Sequence, residues 1–255
     1  MLLLIDIGNT RIKWARFERD ALGPQSAAIH SDWTAAVFAR EVLGSAPPAT
    51  RVLVSNVSGA RMAEIARTAI QRQWNLEPQF VTSTATAGGV RNAYTEPAKL
   101  GVDRWLALIA AHELERGAVC IVSVGTAMTI DGLDADGRHL GGVIVPGPDL
   151  MVSSLLQGTS DLAQRAAGGS KADGLFADNT LGAIWQGTQH ALSALIERSV
   201  QALQQEVGRP VVVLVTGGAA AHIEPALRTS FRSVPDLVLR GLAVLARESP
   251  GSARV

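Results

Sequence analysis

At 255 residues, with 47% apolar and 18% charged side chains, the chain can fill one large domain or two ordinary ones, which excludes an intrinsically disordered polypeptide. Its 23 basic and 23 acidic residues cancel, so the overall charge gives no reason to expect a nucleic-acid or membrane surface. The one cysteine, Cys120, excludes an intrachain disulfide and a thiolate metal site.

In chain order, residues 2–7 read as a buried strand that ends at Gly8-Asn9-Thr10, and residues 11–18 as a second strand, with a tight turn between them. A helix is predicted over 32–43 with Ser31 or Asp32 as its cap, a short strand over 51–55, an amphipathic helix over 59–74 and another short strand over 79–82. Gly88-Gly89 opens a loop that runs to Gly101, followed by a helix over about 101–116. The pattern then restarts. Residues 118–124, with Cys120 inside, form an apolar strand, Gly125-Thr126 a turn, 127–133 a strand, and 138–145 a third strand broken by Pro146-Gly147-Pro148. One long helix spans 180–207 after Asp178-Asn179, and 211–215 form a buried strand ending in Thr216-Gly217-Gly218. Helices from about 219 and near 239–247 close the chain, and 249–255 read as a loose tail. No apolar run approaches the ~20 residues of a membrane span. The apolar N-terminus has neither a basic leader nor a cleavage site, so a cytoplasmic protein is expected.

The restart predicts duplication. Ile5-Asp6-Ile7-Gly8-Asn9 aligns with Val122-Ser123-Val124-Gly125-Thr126, each an apolar strand leading into a glycine turn. Two similar α/β domains, 1–116 and 117–255, are expected, with their turns facing across a cleft. Chance similarity of two strand–turn–strand units is the plain alternative.

Three segments suit phosphate chemistry. In Asp6-Ile7-Gly8-Asn9-Thr10-Arg11-Ile12-Lys13, Gly8 lets the backbone approach an anion. Successive N–H groups of such a turn form an anion-binding concavity, Asn9, Thr10 and Lys13 add donors, and the Asp6 carboxylate suits the hydrated Mg²⁺ of MgATP. An ordinary hairpin with a turn-capping Asp fits this octet about as well. Gly125-Thr126-Ala127-Met128-Thr129 is the matching turn of the second half, and Thr216-Gly217-Gly218-Ala219 is a strand-to-helix turn with room for a flat ring. Neither Gly-x-x-x-x-Gly-Lys-Ser/Thr nor Gly-x-Gly-x-x-Gly occurs, which argues against P-loop and Rossmann enzymes. The five histidines, at 30, 112, 139, 190 and 222, lack metal-ligand spacing and read as structural or surface residues.

Together the three loops resemble those of the sugar kinase, Hsp70 and actin superfamily. That resemblance implies an actin-like ATPase fold: two duplicated ribonuclease-H-like domains with an ATP cleft between them. The segment Tyr94-Thr95-Glu96-Pro97-Ala98-Lys99-Leu100-Gly101-Val102-Asp103-Arg104 narrows it. It resembles the Tyr-x-Asn-Pro-x-x-Leu-Gly-x-Asp-Arg of type III pantothenate kinases, with Glu96 in place of Asn. Leu140-Gly141-Gly142-Val143-Ile144-Val145-Pro146-Gly147 and Asp178-Asn179-Thr180 resemble further segments of that family.

The resemblance implies ATP-dependent phosphorylation of pantothenate to 4′-phosphopantothenate, the first step of coenzyme A biosynthesis. Asp6 would organise Mg²⁺, through water. Gly8, Asn9, Thr10, Lys13, Gly125 and Thr126 would contact phosphates, and Gly217 and Gly218 the adenosine. Tyr94, Gly101, Val102, Asp103, Arg104 and Thr180 would hold pantothenate, with Asp103 as the base. A homodimer is implied, with helices 101–116 and 180–207 as candidate surfaces. In many relatives an Asp at the position of Ser123 helps bind K⁺ or NH₄⁺. The neutral hydroxyl here predicts a weaker, altered or absent monovalent-cation site, with Asp131 as a possible substitute. The competing readings are another small-molecule kinase of the superfamily, and a non-catalytic regulator on the same fold, since members were once viewed as accessory transcription factors.

Overall fold

The computed structural model describes residues 1–44, 47–159, 161–170 and 174–248. The predicted tail at 249–255 therefore lies outside the described residues. The chain forms two compact units, one of Met1–Arg116, Asp136–His139 and the residues from Asp236 onward, the other of Gly117–Ala135 and Leu140–Pro235. This differs from a split into 1–116 and 117–255. Both the 136–139 turn and the closing helix pack with the first unit.

The first unit is a sheet built from β1 (Leu2–Ile7), β2 (Arg11–Glu18), β3 (Ala21–Leu22), β4 (Ser26–Ile29), β5 (Arg51–Asn56) and β6 (Gln79–Phe80). Its order is β3-β2-β1-β5-β6, with β4 paired to β2. The helix expected at 32–43 is a single turn, α1 (Ala35–Phe38), continued by a π-helical turn at Ala39–Leu43. Its cap is Thr34, whose Oγ1 accepts from the Val37 N–H at 3.3 Å, rather than Ser31 or Asp32. Helix α2 (Ala60–Trp74) buries Met62, Ala66, Ala69, Ile70 and Trp74, one helical stripe, against Leu3, Ile5 and Ile7. Side chains alternate across a strand, so Leu4 points to the other face. There it packs with Leu53, with Leu106 of α3 (Val102–Leu114), and with Leu239 and Leu242 of the closing helix. Asp6 shares the Leu4 face, and this alternation aims it toward the layer that holds α3. Between β6 and α3 lies a small hairpin, β7 (Thr86–Ala87) with β8 (Val90–Arg91).

The second unit holds β9 (Ala118–Val124), β10 (Ala127–Leu133), β11 (His139–Pro146), β12 (Val211–Thr216) and β13 (Arg232–Ser233), in the order β11-β10-β9-β12-β13. A helix missed at sequence level, α4 (Pro148–Gly158), follows β11, and α5 (Leu162–Ala166) comes next. The long helix α6 (Thr180–Val207) has the predicted bounds: Asn179 Oδ1 accepts from the Gly182 N–H at 2.9 Å, and Gly208 closes it in the left-handed conformation. Leu192, Ile196, Val200 and Leu203 of α6 pack on Cys120, Val122 and Val124. The helix expected from 219 is instead two 3-10 turns, Ala220–His222 and Glu224–Ala226. Helix α7 (Leu237–Arg247) closes the chain in the first unit. A Cβ on Gly241 would lie 2.1 Å from the Leu106 carbonyl, so only glycine allows α7 this approach to α3.

The two sheets repeat one topology. In each, a central strand pairs antiparallel with the next strand and parallel with a later one. Asp6 stands opposite Lys13 and Ser55; Ser123 stands opposite Thr129 and Thr216. The duplication inferred from two short motifs therefore extends over five strands of each unit. Among the described residues no helix is long and apolar enough to cross a membrane.

Candidate active site

In the first unit, Asp6 lies near the C-terminal end of the central strand β1, and Gly8-Asn9-Thr10 turn the chain back into β2. The turn is tied by Gly8 N–H donating to the Arg11 carbonyl at 3.0 Å, and by buried His30, whose Nε2 donates to the Gly8 carbonyl at 2.6 Å. Asn9 and Thr10 are exposed, as donors for a ligand must be. Asp6 is only 7% exposed and accepts from Ser55 Oγ at 2.9 Å. Its pKa is raised to about 6, chiefly because burial disfavours the charged carboxylate. The Asp103 charge raises it further, and Lys13 and the Ser55 hydrogen bond offset part of the rise. The strand alternation and the start of α3 thus bring the two carboxylates chosen from sequence into mutual electrostatic range.

Asp103 sits in the first turn of α3, and its Oδ1 accepts from the Arg104 N–H at 2.8 Å, satisfying one of the helix's orphan donors. Gly101 makes this possible, because a Cβ there would fall 2.8 Å from that oxygen. Arg104 is buried. Its Nη1 donates to the Tyr94 hydroxyl at 2.9 Å, and its guanidinium carbon lies 5.7 Å from the Tyr94 ring centre. Val102 is buried beneath the same turn. Glu96, the departure from the motif, pairs with Lys99 at 2.6 Å with both side chains about two-thirds exposed, so its charge is matched locally.

In the second unit, the turn after β9 is closed by Gly125 N–H donating to the Ala127 carbonyl at 3.0 Å. Two further glycines seal it. Gly147 donates to the Thr126 carbonyl at 2.8 Å, and a Cβ on it would stand 2.0 Å from the Gly125 carbonyl oxygen. Gly217, at φ +104°, leaves no room for a Cβ, which would lie 2.1 Å from the Val124 carbonyl, while the Ala219 N–H donates to that same carbonyl at 3.0 Å. The Gly125-Thr126 turn, the Gly217-Gly218 turn and the N-terminus of α4 therefore meet around Val124–Thr126 within one unit. Ser123 and Asp131 share a sheet face, since Ser123 opposes Thr129 and Asp131 opposes Ile121. Thr180 is the first residue of α6 in this unit, so it shares no unit with Tyr94 and Arg104.

Sequence reading missed four supports: Ser55, His30, His139 and Gly147. Ser55 was visible as a hydroxyl at the end of the apolar run of β5, and Gly147 as the residue before a proline that opens a helix. The histidines carry no local signal, because their partners lie 22 and 46 residues away in sequence.

Two units of one topology, each turning at glycine beside its central strand, define a kinase-like fold of the actin-like ATPase class. The activator of 2-hydroxyisocaproyl-CoA dehydratase from Clostridium difficile, solved with bound ADPNP, aligns over 96% of this chain and 93% of its own with a TM-score of 0.55 at 12% identity. Component A of (R)-2-hydroxyglutaryl-CoA dehydratase from Acidaminococcus fermentans aligns over 95% of each chain with a TM-score of 0.54 at 13% identity. These likenesses show the fold.

The sequence comparisons are narrower. The type III pantothenate kinase family model matches residues 2–202. The type III pantothenate kinase of Nitrosococcus oceani is 38% identical over 98% of this chain and 95% of its own. That of Aromatoleum aromaticum is 40% identical over 97% and 98%. The chain belongs to the type III pantothenate kinase family, enzymes that use ATP to phosphorylate pantothenate in coenzyme A biosynthesis. The resemblance carried by residues 94–104 and the glycine turns is borne out for family, fold and activity, and the regulatory reading finds no support in these relatives.

Proposed function

We propose that residues 94 and 101–104 form the pantothenate site of the first unit, and that Asp103 is the catalytic carboxylate of this kinase. The observation that carries the reading is the joining of Asp6, Asp103, Arg104 and Tyr94 in one cluster of the first unit. The pantothenate hydroxyl oxygen attacks the γ-phosphorus of ATP, a new P–O bond forms, and the bond to the β–γ bridging oxygen breaks to release ADP. Phosphoryl transfer passes through a loose transition state, so positioning and charge neutralisation dominate. Asp103 orients the hydroxyl and takes its proton late, which suits a carboxylate that is a weak base toward an alcohol. Arg104 offers a planar fork to the pantothenate carboxylate.

In the first unit, Gly8, Asn9, Thr10 and Lys13 are the phosphate-contacting residues. In the second, Gly125 and Thr126 have that role, and Gly217 and Gly218 the adenosine-contacting one. The donor set at Asp6 fits Mg²⁺, which binds one or two carboxylates, keeps several waters and takes phosphate oxygens. Two mutually repelling carboxylates, one of them buried, are where a divalent cation brings the most relief. When bound, it would neutralise charge on the phosphates. Asp103→Asn tests the assignment. The variant is expected to keep its fold and ATP affinity while kcat drops by about 10²–10⁴-fold. Activity within about twofold of wild type would remove Asp103 from the mechanism.

The monovalent-cation site is weaker, altered or absent here, because the neutral hydroxyl of Ser123 supplies no negative charge. The protein acts as a cytoplasmic homodimer on small molecules, without nucleic-acid or membrane partners. The zero net charge and the exposed apolar side chains of the second unit support that reading.

A further inference from the structure

His139 is 1% exposed and stands at the start of β11, among the four residues of the β10–β11 turn that belong to the first unit. Its ring lies parallel to Tyr94, with centroids 6.2 Å apart and planes 13° from each other, the offset stacking that aromatic pairs prefer. Its Nδ1 accepts from the Ala93 N–H at 3.4 Å, which places the proton of the neutral ring on Nε2. The turn itself is anchored. Arg91 N–H donates to the Gly137 carbonyl at 2.8 Å, and Gly137, at φ +76°, packs so closely that a Cβ would stand 2.2 Å from the Gly89 carbonyl. Tyr94 is thus held at three points: His139 on its ring, Arg104 on its hydroxyl, and the Asn92 side chain, whose Oδ1 accepts from its N–H at 3.0 Å.

We infer that His139 is a positioning residue of the pantothenate site. It acts through Tyr94 and, through the Tyr94 hydroxyl, on the Arg104 guanidinium. The inference rests on the proposed roles of Tyr94 and Arg104. A half-buried tyrosine that loses its stacking partner regains ring freedom, and the guanidinium bonded to it loses a fixed partner. Neither change touches the turns assigned to ATP. The consequence is therefore specific: pantothenate binding weakens and ATP binding does not.

Tyr94 is the single tyrosine of the chain, so 3-fluorotyrosine incorporation gives one ¹⁹F resonance that reports on it alone. The experiment compares His139→Ala, His139→Phe, which keeps the ring, and His139→Asn, which keeps an acceptor, with Arg104→Lys as the control for the site. Loss of one hydrogen bond and one ring contact predicts a pantothenate KM raised about 5- to 30-fold in His139→Ala, with the ATP KM within about twofold. The Phe and Asn variants should fall between His139→Ala and wild type, and the ¹⁹F line of the free protein should move in all three. A folded His139→Ala with wild-type pantothenate KM, beside an Arg104→Lys that raises it, overturns the inference and leaves the site reading intact. Wild-type KM in both variants overturns the site reading and the inference with it. A parallel rise in both KM values shows a merely structural role and also overturns it. If His139→Ala does not fold, the other two decide: wild-type KM and an unmoved ¹⁹F line in both would contradict the proposal.

Discussion

Burial and the neighbouring Asp103 charge hold Asp6 at a pKa of about 6, against 3.8 for an ordinary aspartate. Between pH ~4 and ~6 the unfolded chain ionises while the folded one keeps its proton, so the fold loses stability as pH rises through this window and the loss is complete above it. The difference amounts to something on the order of 3 kcal/mol. Asp6→Asn keeps an acceptor for Ser55 and removes the buried charge. In urea titrations without nucleotide or divalent cation, it should be more stable than wild type at pH 8 and equal to it near pH 4. A variant less stable than wild type at pH 8 would contradict the electrostatic account. A second single-residue test concerns Ser123, the counterpart of Asp6 in the second sheet. Hard cations favour anionic oxygens, so K⁺ or NH₄⁺ titrated into a Tris-type buffer should activate wild type weakly and Ser123→Asp more strongly. Strong activation of wild type at low millimolar K⁺, unchanged in Ser123→Asp, would show that the exchange does not matter.

At the scale of elements, glycines set how closely the loops of the second unit approach. Gly147 has φ −71°, which any residue adopts, so the effect of Gly147→Ala comes from the added methyl meeting the Gly125 carbonyl at 2.0 Å. Overpacking of this kind typically costs about 1–3 kcal/mol, and here it displaces the Gly125-Thr126 turn, the proposed phosphate turn. The expected result is an ATP KM raised about tenfold or more with a lowered melting temperature, whereas Gly158→Ala, where the added Cβ meets nothing within 4 Å, changes neither. An unchanged ATP KM in Gly147→Ala would show that the turn tolerates the shift. The same region shows why part of the fold stayed hidden in the sequence. Pro146-Gly147-Pro148 was read only as a stop, although proline at the first helical position also starts a helix, here α4. Helix α6 was legible to its ends because an Asn cap and a closing glycine bracket one periodic run. The alanines at 219–221 have high helix propensity, but Pro225 and the packing of Ile223 leave only 3-10 turns. The family motif at 94–104 could be read directly, because its residues are contiguous in the sequence. His139 could not, because only tertiary packing brings it to Tyr94.

For the whole molecule, the pattern of exposure narrows the proposed dimer surface. Residues 104–111 of α3 are all buried, which leaves Asp103 and the helix's C-terminal end, from His112 on, as its accessible part. The second unit instead exposes Val143 and Ile144 on the edge strand β11, and Leu150 and Leu155 on α4. An edge strand with exposed apolar residues is a ready site for self-association. Light scattering at micromolar concentration should give the mass of a dimer, and a monomer would contradict this. Central to the account is that the Asp6–Asp103–Arg104–Tyr94 cluster serves phosphoryl transfer to pantothenate. Its most direct test is mass spectrometry of the products when purified protein is given ATP, Mg²⁺ and pantothenate. The account predicts 4′-phosphopantothenate that forms only with both ATP and metal and falls sharply in Asp103→Asn. Folded protein that yields none of this product with any of several divalent metals would contradict it.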